Sequence, residues 1–236
     1  MKIIKCVNIL GDSISKGIVL DNMSRKYKIL KQSAIDLFGR ENHIDVSNFS
    51  RFGCTSQKAL NITDEILEKT SANDTNLVMV ELGGNDCDYN WDDVASTPDA
   101  PHIPNVPLAQ FRENVRHIIT ILQKSGRRIA FMTLPPIDSE KYFNWISRGD
   151  NTRAANILKF LGDKTFIYRH QELYADALHD TATELGVFRI PVREHFLGIR
   201  NYRDLLCDDG IHLNENGQHI MESVFTETYK NYLANK

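Results

Sequence analysis

Residues 3–13, with the sequence IIKCVNILGDS, join an apolar run to a turn that carries a serine. A short apolar run stopped by Gly-Asp is typical of a buried β-strand. In an open α/β fold, binding sites usually lie at the carboxyl ends of the parallel strands. We therefore predict that Ser13 lies at such an edge, although Gly-Asp-Ser alone is also ordinary turn chemistry.

A second segment, residues 207–213 with the sequence CDDGIHL, places Asp209 three positions before His212. A serine hydroxyl is a weak nucleophile at neutral pH and needs a neighbouring base to take its proton. A carboxylate then holds the imidazole in the required tautomer and stabilises the imidazolium. An isolated Asp-x-x-His pair is more typical of a packed or capped helix end. Combined with Ser13, this pair predicts a catalytic triad.

Two other strand ends carry groups that suit an oxyanion hole. Residues 77–82, LVMVEL, form another apolar run, and the sequence GGND follows at residues 83–86. The amide of Asn85 is a side-chain donor of the kind that stabilises a tetrahedral oxyanion. Gly53 lies between the alternating residues 44–49 and a predicted helix, where its backbone N–H is a second candidate donor. Taken alone, the Gly-Asn-Asp segment is equally typical of a turn, and Gly53 is simply typical of a loop.

These four segments, in this order, resemble those of the SGNH hydrolase superfamily, also called the GDSL esterase/lipase family. The resemblance runs from about residue 3 to the C-terminus and implies a flavodoxin-like three-layer α/β/α sandwich with a five-stranded parallel sheet. It implies that Ser13 is the nucleophile, that His212 is the general base and acid, and that Asp209 orients His212. The implied oxyanion hole consists of the backbone N–H groups of Ser13 and Gly53 and the side chain of Asn85. The family acts on lipid, thioester, aryl and acetylated-sugar esters, so the motifs leave the substrate open.

Length and composition agree with one globular domain over residues 1–236. The chain is 42% hydrophobic and 25% charged, as is usual for a globular protein. Its net charge of −3 gives no electrostatic reason to expect nucleic acid or a stable membrane association. Residues 1–10 are too short for a signal peptide and lead directly into the Ser13 turn, so we predict a cytoplasmic protein. The sequence carries no signal of oligomeric state.

Hydrophobic periodicity predicts alternating strands and helices over most of the chain. Strands are expected at residues 3–10, 44–49, 77–82, 128–133 and 187–190. Helices are expected at about residues 23–38, 56–69, 108–124, 168–185 and 215–233, the last with Asn214 as its N-cap. Five strands that alternate with helices favour a parallel sheet covered on both faces.

Two segments, residues 87–107 and 138–165, interrupt this alternation. Long loops in compact domains are often functional, and we interpret the first as a wall or lid beside the acyl-binding pocket. Tyr89 and Trp91 in this segment and Trp145 in the second are candidate substrate contacts, as is the preceding Asp86. For each tryptophan, anchoring a loop to the core is an equally good interpretation.

Three of the four cysteines, Cys54, Cys87 and Cys207, adjoin the motif segments. Because no C-x-x-C spacing is present, we expect free thiols near one rim of the pocket rather than a zinc or redox site. No cofactor and no metal are predicted.

These observations favour a serine esterase that hydrolyses short-chain carboxylic esters through an acyl-enzyme, with carbohydrate or small-alcohol esters as preferred small-molecule substrates. A lipase, lysophospholipase or thioesterase of the same family is an alternative. From other classes, we consider a non-catalytic binding module and a metal-dependent phosphoesterase. The latter would use Asp12, Asp86, Asp88, Asp209 and His212 as ligands. The chain lacks the HExxH and GxxxxGK[ST] motifs, and no triad or oxyanion residue is missing.

Overall fold

A computed structural model describes residues 3–73 and 75–234, so residues 1, 2, 74, 235 and 236 of the predicted domain lie outside the described residues. The strands are β1 (Cys6–Leu10), β2 (Ile18–Asp21), β3 (Lys26–Ile29), β4 (Asp45–Asn48), β5 (Asn76–Val80), β6 (Arg128–Met132) and β7 (Phe188–Ile190). The helices are α1 (Ala34–Asn42), α2 (Ser56–Lys69), α3 (Trp91–Ser96), α4 (Leu108–Lys124), α5 (Ser139–Ser147), α6 (Asn151–Leu161), α7 (Thr165–Glu184), α8 (Val192–Leu197) and α9 (Glu215–Ala234). A short 3-10 helix, Tyr202–Leu205, precedes α9.

Five of these strands form a parallel sheet in the order β4-β1-β5-β6-β7. In chain order along this sheet the arrangement is 2-1-3-4-5, the flavodoxin-like order. The direction of winding reverses between β1 and β5, which pair in register from Cys6 with Asn76 to Leu10 with Val80. Ligands bind at such a switch point, outside the carboxyl ends of the strands. The predicted fold class is confirmed, and Ser13 follows the central strand β1.

Alternate residues of the strands supply two apolar cores, one on each face of the sheet. Val78 and Val80 face the core shared with α2, α4 and α7. Met79, between them, faces the core shared with α1 and α9. Burial on both faces explains why β5 is a continuous apolar run rather than an alternating one. The predicted three layers are therefore present.

The helix predicted over residues 23–38 is wrong in its first half. Residues 18–29 form the antiparallel hairpin β2–β3 instead, and α1 begins only at Ala34. Ser33 caps α1 through a capping box with Asp36, which is the local start signal for a helix. The turn before β3 uses Arg25 at a φ of +55°. The apolar spacing of Tyr27 and Leu30 arises because both pack beside Val19 and Leu20.

The other predicted helices agree with the structure. The bounds of α2 and α4 match the prediction, and α7 begins three residues earlier than expected. Asn214 caps α9, because its Oδ1 accepts the backbone N–H of Gly217 at 3.0 Å.

The two segments expected to be irregular contain helices. Residues 87–107 include α3, and residues 138–165 form α5 and α6. Side chains from these helices build a third apolar cluster, which includes Val94, Tyr142, Ile146 and Ile157. The buried residues of α5, Tyr142, Phe143, Ile146 and Ser147, lie on one face of the helix, which is the pattern of an amphipathic helix.

None of the described helices is both long and apolar enough to cross a membrane. The cytoplasmic location stays a prediction.

Candidate active site

Ser13, His212 and Asp209 form one continuous chain of hydrogen bonds. Ser13 lies in the turn after β1, and its Oγ is 2.9 Å from Nε2 of His212. Nδ1 of His212 is 2.7 Å from Oδ2 of Asp209. The exposed fractions of the three residues are 6%, 3% and 0%, respectively. The residues are 199 positions apart at the extremes, and the parallel sheet brings them to one edge.

The loop around Asp209 holds its carboxylate in position. Oδ1 accepts the backbone N–H groups of Ile211 at 3.1 Å and His212 at 3.0 Å. Burial raises the pKa of Asp209, but the hydrogen bonds and the charge of His212 outweigh burial and bring the pKa below its ordinary value. Asp209 is therefore ionised at neutral pH, as a group that orients and stabilises an imidazolium must be.

Two aromatic rings enclose the imidazole of His212. The Phe52 ring stacks on it with an interplanar angle of 7° and a centroid distance of 6.1 Å. The Tyr27 ring lies on β3 with its centroid 4.9 Å away. These rings restrict the rotation of His212 and keep water from its faces. Sequence reasoning missed both of them, Tyr27 because it was assigned to a helix.

Of the three residues predicted to form the oxyanion hole, Ser13 and Asn85 line the cavity at this edge, and Gly53 is not among its lining residues; their role as oxyanion donors stays a prediction. Gly53 has a φ of +65°, in the left-handed region that favours glycine. Across the described ranges, neither the N–H of Ser13 nor that of Gly53 donates a hydrogen bond. The side chain of Asn85 donates one N–H to Oδ2 of Asp12 at 2.8 Å. A primary amide has two N–H groups, so a second donor of Asn85 remains for a ligand.

A cavity of about 360 Å³ opens beside these groups and is lined by Ser13, Asn85 and His212. Its far wall comes from α5, α6 and α7 and from the segment before α3, and it includes Tyr89, Trp145 and His170. The volume lies near the lower end of the range for small-molecule sites. The cavity therefore suits a compact ligand with its reacting group at Ser13.

Comparison with known proteins identifies the family. The model of the GDSL-like Lipase/Acylhydrolase family matches residues 9–220. The chain belongs to the GDSL-like lipase/acylhydrolase family. This match confirms the resemblance drawn from the motif segments, and it spans from β1 to α9.

Curated relatives of this GDSL-like protein include plant GDSL esterase/lipases. CPRD49 of Arabidopsis thaliana is 28% identical over 179 residues, which cover 72% of this chain and 60% of the relative. WDL1 of Oryza sativa subsp. japonica is 25% identical over 188 residues, or 79% and 65% of the two chains. The chain thus spans less than two thirds of the length of these relatives.

Solved structures of similar fold cover nearly the whole GDSL-like chain. A lipase/acylhydrolase from Enterococcus faecalis aligns with a TM-score of 0.64 and 17% identity over 97% of each chain. A catalytic mutant of Axe2, an acetylxylan esterase from Geobacillus stearothermophilus, aligns with a TM-score of 0.65 and 17% identity over 97% of this chain and 96% of that one. At these identities the likeness shows the shared fold.

Among the predicted substrate contacts of the GDSL-like protein, Asp86 is placed differently from the expectation. Its side chain is completely buried, and Oδ1 accepts the backbone N–H of Ser56, the first residue of α2, at 2.8 Å. An acid at this position satisfies an unpaired N–H of the helix and interacts well with the helix dipole. Asp86 therefore supports the loop after Asn85 and does not face the cavity.

Tyr89, Trp91 and Trp145 all line the cavity, and both tryptophans are also anchored. Trp91 Nε1 donates to Oδ1 of Asp88 at 2.7 Å. The guanidinium of Arg25 lies 4.8 Å from the ring centroid of Trp145. Both tryptophans are thus anchored and also line the cavity, and their contact with substrate stays a prediction.

The three cysteines of the motif segments are free thiols, but only part of the expectation for them agrees with the structure. Cys87 lines the cavity. Cys54 packs into the core beneath α2, and Cys207 packs against Val19 and Leu20. The last two are thus core residues rather than pocket wall.

The candidate metal ligands are distributed among separate partners. Asp88 accepts hydrogen bonds from Trp91 and from the hydroxyl of Tyr142, Asp86 accepts the backbone N–H of Ser56, and Asp209 pairs with His212. Within residues 3–73 and 75–234, no group of three or more His, Cys, Asp or Glu side chains is arranged to hold a metal ion.

Proposed function

We propose that this protein is a serine esterase that hydrolyses short-chain carboxylic esters through an acyl-enzyme. The observation that carries the proposal is the buried hydrogen-bond chain from Ser13 Oγ through His212 to Asp209. A serine within 2.9 Å of an imidazole that is itself held by an ionised carboxylate has the geometry of an activated nucleophile.

The reaction proceeds in two acyl-transfer steps. Nε2 of His212 takes the proton of Ser13 Oγ while Oγ bonds to the ester carbonyl carbon. The oxyanion accepts hydrogen bonds from the N–H groups of Ser13 and Gly53 and from Asn85. The tetrahedral intermediate then expels the alcohol, which takes the proton from His212. Water repeats the sequence on the acyl-Ser13 ester and releases the carboxylic acid. The chain's own residues supply every group in this sequence.

The size of the cavity favours a small ester. At about 360 Å³ it leaves little room for a long acyl chain together with the alcohol portion of the substrate. Its aromatic wall, with Tyr89, Trp91 and Trp145, offers flat apolar surfaces on which a sugar ring or a short acyl group can pack. One structural neighbour is an acetylxylan esterase, which also supports an acetylated carbohydrate as substrate.

Hydrolysis of p-nitrophenyl esters from acetate to decanoate tests the proposal. We expect activity to be highest with the shortest chains and to fall by at least about a thousandfold in Ser13→Ala. Ser223→Ala, an exposed serine on α9, is the matched control and is expected to be as active as the wild type.

Three results would each overturn the proposal or part of it. Activity that survives Ser13→Ala but is lost with a chelator contradicts the serine mechanism and favours the metal-dependent class. Absence of activity on every ester favours a binding module. Highest activity with decanoate contradicts the short-chain preference and favours a lipase.

A further inference from the structure

A buried acid, Asp12, accepts a hydrogen bond from the amide of Asn85. Asp12 is 2% exposed, and both of its carboxyl oxygens accept N–H groups. Oδ2 accepts the side-chain N–H of Asn85 at 2.8 Å, and Oδ1 accepts the backbone N–H of Ile14, also at 2.8 Å. Asp12, which also lines the cavity, therefore fixes the orientation of the Asn85 amide.

A second buried acid, Glu81, lies against Asp12. It is the residue after β5, and its exposed fraction is 0%. Oε2 accepts the backbone N–H of Asp12 at 3.1 Å and the hydroxyl of Ser15 at 3.0 Å. A Cβ on Gly11 would lie 3.0 Å from this oxygen. The glycine of the Gly-Asp-Ser turn thus allows the chain to approach Glu81 closely.

One oxygen of this carboxyl pair has no donor. In the described part of the chain, Oε1 of Glu81 is buried and without a hydrogen-bond partner, whereas the other three oxygens accept at least one N–H or O–H. The Glu81 carboxyl group lies against Asp12 through its contact with the Asp12 backbone N–H. Besides burial, both its charge and a side-chain hydrogen bond between the two acids raise the pKa of Asp12. A hydrogen bond between two carboxyl groups needs a proton on one of them.

We propose that Asp12 and Glu81 share one proton at neutral pH, and that this pair holds the Asn85 amide in position for the oxyanion. Glu81 is then a positioning residue, which acts through Asp12 on Asn85. The catalytic consequence rests on the esterase function proposed above, whereas the shared proton does not.

The charges around the pair agree with a retained proton. Burial raises the pKa of Asp12 well above its ordinary value, and the negative charge of Glu81 raises it further. Burial also raises the pKa of Glu81. Two buried carboxylates in contact cannot both ionise at ordinary pH, because each disfavours the charge of the other.

The other titratable groups near the pair do not compensate its negative charge in place of a proton. Asp86 adds a further negative charge and raises the pKa of Asp12, and the Cys54 thiol has a pKa raised by burial to about 12. The Lys16 ammonium donates to the carbonyl of Ser50 at 3.0 Å, not to either carboxyl group. His212 contacts Ser13 and Asp209. Over the described residues, no cationic side chain forms a salt bridge with Asp12 or Glu81.

Two substitutions of Glu81 distinguish the effect of its hydrogen bonds from the effect of its side-chain volume. In Glu81→Gln, the amide carbonyl can accept at the position of Oε2 while the NH2 donates to Asp12, so the hydrogen bonds of a protonated glutamate are kept. Glu81→Met fills a similar volume but removes all of these bonds. Glu68→Gln, at an exposed glutamate on α2, makes the same chemical change outside the network and serves as the control.

Kinetics with p-nitrophenyl acetate and thermal unfolding test the positioning role. We expect kcat of Glu81→Gln to be within about threefold of the wild type, and kcat of Glu81→Met to fall about tenfold to a hundredfold with little change in KM. The proposal is overturned if Glu81→Gln is as impaired as Glu81→Met, or if folded Glu81→Met is fully active.

Infrared spectra of the wild type and the variants, compared at pH 7, test whether the carboxyl pair holds a proton. This measurement needs no substrate. A carbonyl stretch from a protonated carboxylic acid is expected in the wild type and in Glu68→Gln, and it is expected to disappear in Glu81→Gln. Wild-type protein without this band overturns the shared proton even if the enzyme is an active esterase. The band in an inactive protein would instead contradict the proposed function alone.

Discussion

Replacing Asp209 with asparagine removes a charge while nearly preserving the size of the side chain. Oδ1 of the asparagine can still accept the backbone N–H groups of Ile211 and His212, which Asp209 now holds at 3.1 and 3.0 Å. The amide NH2 then faces Nδ1 of His212. Because an NH2 group cannot accept the Nδ1 proton, the imidazole must carry its proton on Nε2. That tautomer cannot take a proton from Ser13.

The size of the effect follows from the buried pair. Two opposite charges about 4 Å apart at an effective dielectric constant of about 20 attract by about 4 kcal/mol. Losing this stabilisation of the imidazolium in the transition state corresponds to a rate loss of about a thousandfold. The unfavourable tautomer adds to this loss, and the same substitution in a serine protease triad lowers kcat by about 10⁴. We expect kcat to fall about 10³-fold to 10⁴-fold with little change in KM.

Steady-state kinetics with p-nitrophenyl acetate measures this loss, and thermal unfolding verifies that the variant is folded. Asp208→Asn is the matched control, because Asp208 is the adjacent residue but is exposed and pairs with Arg25. An exposed ion pair contributes little, so the control is expected to keep wild-type kcat. Folded Asp209→Asn that retains more than about a tenth of wild-type kcat would refute the role assigned to Asp209.

Two further predictions concern the loop that follows β5. Asn85→Ala is expected to lower kcat by about 10²-fold to 10³-fold with little change in KM, because it removes one oxyanion donor; a loss that appears only in KM would contradict this role. For Asp86, burial raises the pKa to about 6 from an ordinary value of 3.8. Between these two pH values the folded protein therefore binds more protons than the unfolded chain. The free energy of unfolding falls as the pH rises from 3.8 to about 6. Urea unfolding at pH 4 and pH 8 should therefore show Asp86→Asn gaining on the wild type by about 2 kcal/mol over this interval, and an unchanged difference between the two proteins would contradict the buried ionisation.

The main elements of the fold were predictable because their sequence patterns are local. Residues 108–124 show a 3.6-residue apolar period that ends near Gly126, and the helix has these bounds. The hairpin β2–β3 was not predictable in the same way. Tyr27 and Leu30 have helical spacing, but their burial depends on contact with β2 and Cys207, which lies far along the chain. Tertiary contacts, rather than the apolar period of the sequence, determine the secondary structure of this segment.

The candidate site likewise contains residues that sequence motifs identify and one residue that only the structure identifies. Ser13, Asn85, Asp209 and His212 belong to motifs with recognisable chemistry, and the parallel sheet brings their segments to one edge. Glu81 lies in an apolar run and has no motif of its own. Only the structure shows that it meets Asp12, because the contact joins residues 69 positions apart. A glutamate inside the otherwise apolar run of residues 77–82 was a signal, because buried charged residues need a partner.

Covalent labelling with a fluorophosphonate tests the central claim, that Ser13 is an activated nucleophile, most directly. Its hydroxyl oxygen would attack phosphorus and displace fluoride, and peptide mass spectrometry would locate the adduct. We predict one adduct per chain, on the peptide that contains Ser13, with labelling strongly slowed in Asp209→Asn. Folded wild-type protein that gains no adduct, or that is labelled at a residue other than Ser13, would contradict the account.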